Sequence, residues 1–86
     1  MAYKIRKDLA YRRIAGEVYI VDAAKSEMRE LNGPAALIWE GLAAGKKGEA
    51  IASAIAEEFE TDAATARADL AAFTEELLAA RLIEKL

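Results

Sequence analysis

The twelve residues Leu31-Asn32-Gly33-Pro34-Ala35-Ala36-Leu37-Ile38-Trp39-Glu40-Gly41-Leu42 divide this chain into two regimes. Leu31 ends an extended segment. Asn32 or Gly33 supplies a helix cap, and Pro34 stands where a first-turn proline is tolerated because its missing N–H has no partner to lose. Ala35, Ile38, Trp39 and Leu42 then recur at helical spacing and define one apolar side. Everything before this boundary reads as strand, and everything after it as helix.

Upstream, Tyr11-Arg12-Arg13-Ile14 and Glu17-Val18-Tyr19-Ile20-Val21 are rich in aromatic and β-branched residues. Ala15-Gly16 between them suits a tight hairpin. Asp22 opens a turn through Ala23-Ala24-Lys25, and a third strand follows over about Glu27 to Leu31, with Met28 and Leu31 on opposite faces. The first ten residues are left open between a disordered tail and a cover over the sheet.

Downstream, Gly45 past Leu42 ends the first helix. A second helix runs from about Glu49 to Phe59, with Ile51, Ile55 and Phe59 as its buried stripe and Ala52 and Ala56 beside it. Thr61 or Asp62 caps a third, over about Ala63 to Ala80. Its core stripe is Ala66, Leu70, Phe73 and Leu77. A second stripe, Arg67, Ala71, Thr74 and Leu78, is small and semi-polar. Leu82-Ile83 folds back onto the domain. Strands segregated from helices indicate an α+β domain. The expected architecture is winged helix-turn-helix-like, a three-stranded antiparallel β-meander followed by three α-helices, in one domain spanning residues 1–86. Alanine, 21 of 86 residues, is spread through the helical patterns and serves propensity and close packing.

Composition narrows the chemistry. The chain has no cysteine and no histidine. Thiolate nucleophiles, imidazole bases and the common zinc ligand sets are therefore excluded. Ser26 and Ser53 have no histidine to activate them, and a serine–lysine pair needs a geometry that spacing does not supply. Glu57-Glu58 and Glu75-Glu76 are helix neighbours about 100° apart, so adjacent acids do not share a site. No Asp-rich calcium loop or phosphate-cradling glycine motif is present. The reading is a non-enzyme with no cofactor and no metal. No apolar run approaches the ~20 residues of a membrane span, and the first eight residues lack a signal-peptide core, so a cytoplasmic location is expected.

Net charge is 12 − 15 = −3. Residues 1–31 carry seven Lys or Arg against five acids, and residues 32–86 carry five against ten. A nucleic-acid-binding winged helix is the alternative function. Its recognition helix would set Arg67 and Arg81 among Asp62, Asp69, Glu75 and Glu76, a face that repels phosphates.

The pattern of Gly16, Asp22, Leu31-Asn32, Ala35 or Ala36 with Ile38-Trp39, Leu42 with Gly45, Glu49 with Ile51-Ala52, Phe59, Asp69-Leu70 with Phe73 and Leu77, and the closing Leu82-Ile83 resembles the PqqD-like family, from about Lys7 to Ile83. Gly33-Pro34, Ala36 and Arg81 depart from its usual residues. The Pro-Glu-Gly stretch associated with the pyrroloquinoline-quinone pathway member is missing. The resemblance thus favours a recognition element of another pathway.

It implies a peptide chaperone that binds the leader segment of a ribosomally made precursor peptide. Such a domain presents the leader to a radical-SAM maturase, a leader protease or a cyclodehydratase. The leader is expected to add as a strand on the third strand's open edge and to lie between that strand and the third helix. The implied site is Ser26, Glu27, Met28, Arg29, Glu30 and Leu31 on one side, and Arg67, Leu70, Ala71, Thr74 and Leu78 on the other. An open edge is by itself a template for strand addition, and the same edge offers a route to a homodimer.

Overall fold

The structure is a computed structural model describing residues 3–86. In chain order it comprises β1 (Tyr3–Ile5), β2 (Ala10–Ile14), β3 (Glu17–Asp22), β4 (Glu27–Leu31), α1 (Gly33–Ala43), α2 (Gly48–Glu58), α3 (Ala63–Ala79) and β5 (Ile83–Lys85). The meander expected from the sequence is β2-β3-β4, all antiparallel. Two strands were not anticipated. β1 and β5 pair antiparallel in a separate ribbon that joins the two ends of the chain, with Ile5 opposite Ile83. The segment left open in the sequence therefore holds ordered structure from Tyr3 onward; Met1 and Ala2 lie outside the described residues.

The meander register follows from its turns. Ile14 pairs with Glu17 across a two-residue loop in which Ala15 and Gly16 both take positive φ, +51° and +84°. Such a loop twists with the strands it joins, and alanine accepts it at some strain. In the next turn Ser26 also takes positive φ, +54°, so β4 begins at Glu27 and not at Ser26. Alternation then sorts the side chains. Val18, Ile20, Asp22 and Leu31 point inward and are buried. Glu17, Tyr19, Val21, Met28 and Glu30 point to the opposite face.

The helices cover the inward face. Trp39, fully buried on α1, packs with Val18, Ile20, Leu31, Leu77, Leu82 and Ile83. Its ring meets Tyr11 of β2 edge-on, with centroids 5.4 Å apart. A second cluster, Ile38, Ile51, Ala52, Ile55 and Ala66, fills the space between the helices. Burial of each large side chain contributes about 1.5–3 kcal/mol. Phe59 was expected in the α2 stripe but stands at the helix end, 40% exposed. The period-four pattern runs one turn beyond the helix's packed length.

All three helices end by the same device. A residue at positive φ follows the cap: Gly45 (+74°), Glu60 (+51°) and Arg81 (+61°). The next amide then reaches back five residues: Lys46 N–H to Gly41 O (2.9 Å), Thr61 N–H to Ala56 O (3.1 Å) and Leu82 N–H to Leu77 O (2.9 Å). These are Schellman closures, which satisfy carbonyls the helix leaves free. They also explain why Arg81 can replace a glycine. At the other ends only Asp62 caps with its side chain, its Oδ1 accepting the Thr65 N–H at 2.7 Å, which holds this carboxyl below the usual range. Asn32 stands at the α1 cap position without such a bond.

Candidate functional site

β4 pairs with β3 along one edge, and no described strand pairs with the other. Its backbone therefore offers alternate unpaired N–H and C=O groups, and its side chains before Leu31 are exposed. A cleft of about 260 Å³ runs beside this strand, lined by Ile20, Asp22, Glu27, Met28, Arg29, Ala80 and Leu82. Arg29 stands opposite Ile20 and Glu27 opposite Asp22, so both belong to the inward rows at the strand's rim. Across the cleft, Lys25 in the β3–β4 turn donates to the Ala80 carbonyl at 3.4 Å. The meander is thereby tied to the C-terminal end of α3.

The structure places the two sets of residues expected at the site differently. Glu27, Met28, Arg29, Glu30 and Leu31 form β4, although Leu31 is buried core and Ser26 belongs to the turn. The five helix residues expected to face them do not share one groove. Arg67 turns toward α2, with Nε 3.5 Å from Glu49 Oε1, and lines a separate hollow with Ser53, Ala56 and Ala63. Leu70 packs on the interhelical cluster. Thr74 is buried, and Leu78 packs against the main core beside Trp39. Ala71 stays exposed. A 3.6-residue period says which residues share a side of α3; it does not say which neighbour that side meets. Ala80 and Leu82, which do line the cleft, were legible only as the helix end and the fold-back after it.

Asp22 is the charged residue at the cleft's floor, 4% exposed. Arg6, between β1 and β2, places Nη1 3.3 Å from Asp22 Oδ2 and 2.9 Å from the Arg81 carbonyl, while Nε reaches Asp8 Oδ1 at 3.0 Å. The Asp8 contact raises the Arg6 pKa and lowers that of Asp8. Asp22 Oδ1 has no partner among the described residues. Sequence reading missed Arg6 because its partners lie 16 and 75 positions away.

The arrangement offers backbone edge, apolar wall and rim charge. Among the described residues no group of three or more carboxylates converges on a point that could hold a metal ion. Among the described residues no helix is long and apolar enough to cross a membrane.

Residues 17–83 match the family model described as Coenzyme PQQ synthesis protein D (PqqD). The chain belongs to the PqqD family. Two solved structures share its fold over nearly the whole length. One is TbiB1 in complex with the TbiA(beta) leader peptide, 29% identical, with a TM-score of 0.87 over 96% of both chains. The other is a lasso peptide synthetase B1 complexed with the leader peptide, 22% identical, with a TM-score of 0.88 over 99% of this chain and 100% of that one. No curated protein matches the sequence.

Proposed function

We propose that this protein is a non-catalytic leader-peptide recognition domain. It captures the leader of a ribosomal precursor peptide as a fourth strand on β4 and delivers it to a modifying enzyme in the cytoplasm. The observation that carries this reading is the unpaired β4 edge with an apolar-walled cleft beside it. Support comes from TbiB1, 29% identical and in complex with the TbiA(beta) leader peptide.

Backbone pairing along β4 supplies affinity that depends little on sequence, and the cleft supplies choice. Ile20, Ala80 and Leu82 present apolar surface to one leader side chain. Glu27 and Arg29 at the rim favour leaders whose charges complement theirs. The site residues carried forward are Glu27, Met28, Arg29 and Glu30, with Ala80 and Leu82 replacing Arg67 and Leu70 as the opposite wall. A homodimer through the β4 edge would occupy the same backbone groups and would compete with the leader.

Nucleic-acid binding fits poorly with α3, whose exposed positions include Asp69, Glu75 and Glu76. An amide NMR titration separates the readings, using the precursor-like peptide encoded beside the gene and, separately, a random DNA duplex. Peptide-induced shifts at Glu27–Leu31, Ala80 and Leu82 are the expected result. Shifts induced only by DNA, along α3 or at Arg12 and Arg13, overturn the reading.

A further inference from the structure

Asp22 has one carboxylate oxygen too many for its surroundings. The residue ends β3 and lines the floor of the cleft beside β4, 4% exposed. Its Oδ2 accepts from Arg6 Nη1 at 3.3 Å, whereas Oδ1 is closed to solvent and accepts no hydrogen bond among the described residues. Buried polar atoms are nearly all partnered, because one stripped of water and left alone carries its full desolvation cost. The donors nearby are engaged elsewhere. Arg6 also holds Asp8 and the Arg81 carbonyl, and Lys25 reaches the Ala80 carbonyl at 3.4 Å. Arg29 stands in the next inward row, opposite Ile20, and is exposed.

A leader strand on β4 brings side chains to this floor. Alternation sends every second leader residue inward, level with the rows that hold Glu27 and Arg29. Neighbouring strands lie about 4.8 Å apart, so the leader backbone runs about 10 Å from β3, with β4 between them. A serine or an asparagine at such a position ends short of Asp22. A long side chain lies across β4 along the apolar wall of Ile20, Ala80 and Leu82 and ends at Oδ1; the cleft, about 260 Å³, holds one. The rim opens without breaking an ion pair, since neither Glu27 nor Arg29 takes part in one among the described residues. Charge decides what the tip carries. A cation would have to leave water to stand beside Arg6, and a carboxylate would be repelled by Asp22. On the rim Glu27 and Arg29 offset each other. A neutral O–H or N–H donor meets Oδ1 at the least cost.

We propose that Asp22 is a specificity-determining residue for the leader: its Oδ1 accepts a hydrogen bond from a long, neutral leader side chain, tipped with a phenol or a carboxamide, that enters the cleft between Glu27 and Arg29. The inference rests on the leader-binding reading and names the class of side chain that the cleft selects. The apolar wall by itself would take a phenylalanine or a methionine as readily as a tyrosine or a glutamine. Asp22 turns the same cleft against the first two, because an apolar tip seals Oδ1 away from any partner.

The test sets the wild-type domain against a series of leaders. The parent is the precursor-like peptide encoded beside the gene. The others replace each of its tyrosines by phenylalanine and each glutamine by methionine, one at a time. Affinity is read by fluorescence anisotropy, and the Asp22 side chain by carboxyl carbon NMR. The expected result is one replacement that weakens binding about tenfold while the rest leave it unchanged. The Asp22 carboxyl resonance should move when the parent binds and stay in place with that one variant peptide. Asp22→Asn closes the cycle. Its side-chain carbonyl still accepts from Arg6, and its amide group then turns a donor toward the leader's donor. It should bind the parent about tenfold more weakly than wild type does, and the parent and the variant peptide equally. Thermal melting first establishes that this variant is folded; if it is not, the peptide series and the carboxyl resonance of wild type decide alone. Equal binding of every peptide to wild type overturns the proposal, as does a parent that binds without moving the Asp22 resonance. Failure of the parent to bind wild type instead sinks the underlying reading, which keeps the two failures distinct.

Discussion

Arg6 and Asp22 are joined across 16 positions of sequence, Nη1 to Oδ2 at 3.3 Å, where the segment after β1 meets the end of β3. The same guanidinium holds the Arg81 carbonyl and Asp8. One side chain thus clamps the N-terminal ribbon, the meander and the C-terminal turn. Because Asp22 is buried, removing Arg6 leaves a carboxylate without its cation. Arg6→Ala is expected to lower the urea midpoint far more than Lys4→Ala, whose ion pair with Glu84 lies at the surface, 3.9 Å long. Arg6→Ala combined with Asp22→Asn should recover part of the loss. Equal effects of Arg6→Ala and Lys4→Ala would reduce the clamp to a surface contact.

That clamp marks the boundary of what sequence could show. The meander turn at Ala15-Gly16, the α1 boundary at Asn32-Gly33-Pro34 and the buried Trp39 are local signals, carried by residues within a few positions of each other. β1 and β5 are three residues each and pair across the whole chain, so no alternation within either could announce them. The site divides the same way. The β4 edge was legible because an edge follows from strand order. The opposite wall was not, because Arg67, Leu70, Thr74 and Leu78 share a helical side whose neighbour is fixed by packing. Leu78 illustrates this. As a groove residue it would tolerate Leu78→Glu, but it packs against the main cluster and that substitution should destabilise the domain.

Arg81 offers a stabilising substitution. It sits at φ +61° to close α3, a conformation that costs a side-chain-bearing residue about 1–2 kcal/mol. Its contribution to the clamp is its backbone carbonyl, which glycine retains. Arg81→Gly, offset by the greater freedom of glycine in the unfolded chain, should raise stability by about 0.5–1 kcal/mol in chemical denaturation. A decrease would show that the Arg81 side chain contributes more than its strain costs.

Gly41 has a different reason to be glycine. A Cβ there would stand 2.7 Å from Ile51 Cγ1 and 3.0 Å from its Cδ1, at the α1–α2 contact. Ile51 is fully buried and has little room to yield. Gly41→Ala gains roughly 1 kcal/mol of helix propensity but incurs about 1–3 kcal/mol of overpacking, so a net loss is expected. In an Ile51→Ala background the clash is gone, and the same substitution should become stabilising. Thermal melts of the four proteins in this cycle check the sign change. A constant effect in both backgrounds would place the constraint elsewhere.

The Glu17–Glu30 pair predicts a pH signature. Glu30 holds its proton more tightly in the folded protein than an ordinary glutamate does, because Glu17 bonds to and repels it. This contribution therefore favours the folded state at low pH and is lost as pH rises through the raised folded value. Glu17→Gln removes the repulsion. Carboxyl carbon NMR should show the Glu30 midpoint falling toward the ordinary glutamate value in that variant, together with a small gain in stability near neutral pH. An unchanged midpoint would mean the two carboxylates are not in contact.

Hydrogen exchange distinguishes the two edges of the meander. In the free protein, alternate amides of β4 are bonded to β3 and should be protected, while the intervening set faces the open edge and exchanges fast. A leader pairing on β4 must slow that second set, since its N–H groups become ladder donors. The effect should alternate along Glu27–Leu31, leaving the already protected amides little changed. β2 carries the other free edge of the sheet. It lacks the cleft formed by Ala80, Leu82 and Asp22, so its amides at Ala10–Ile14 should exchange equally fast with and without peptide. Protection gained along β2 instead would move the leader to the far edge. The Ile20–Leu82 cleft would then have no part in choosing it.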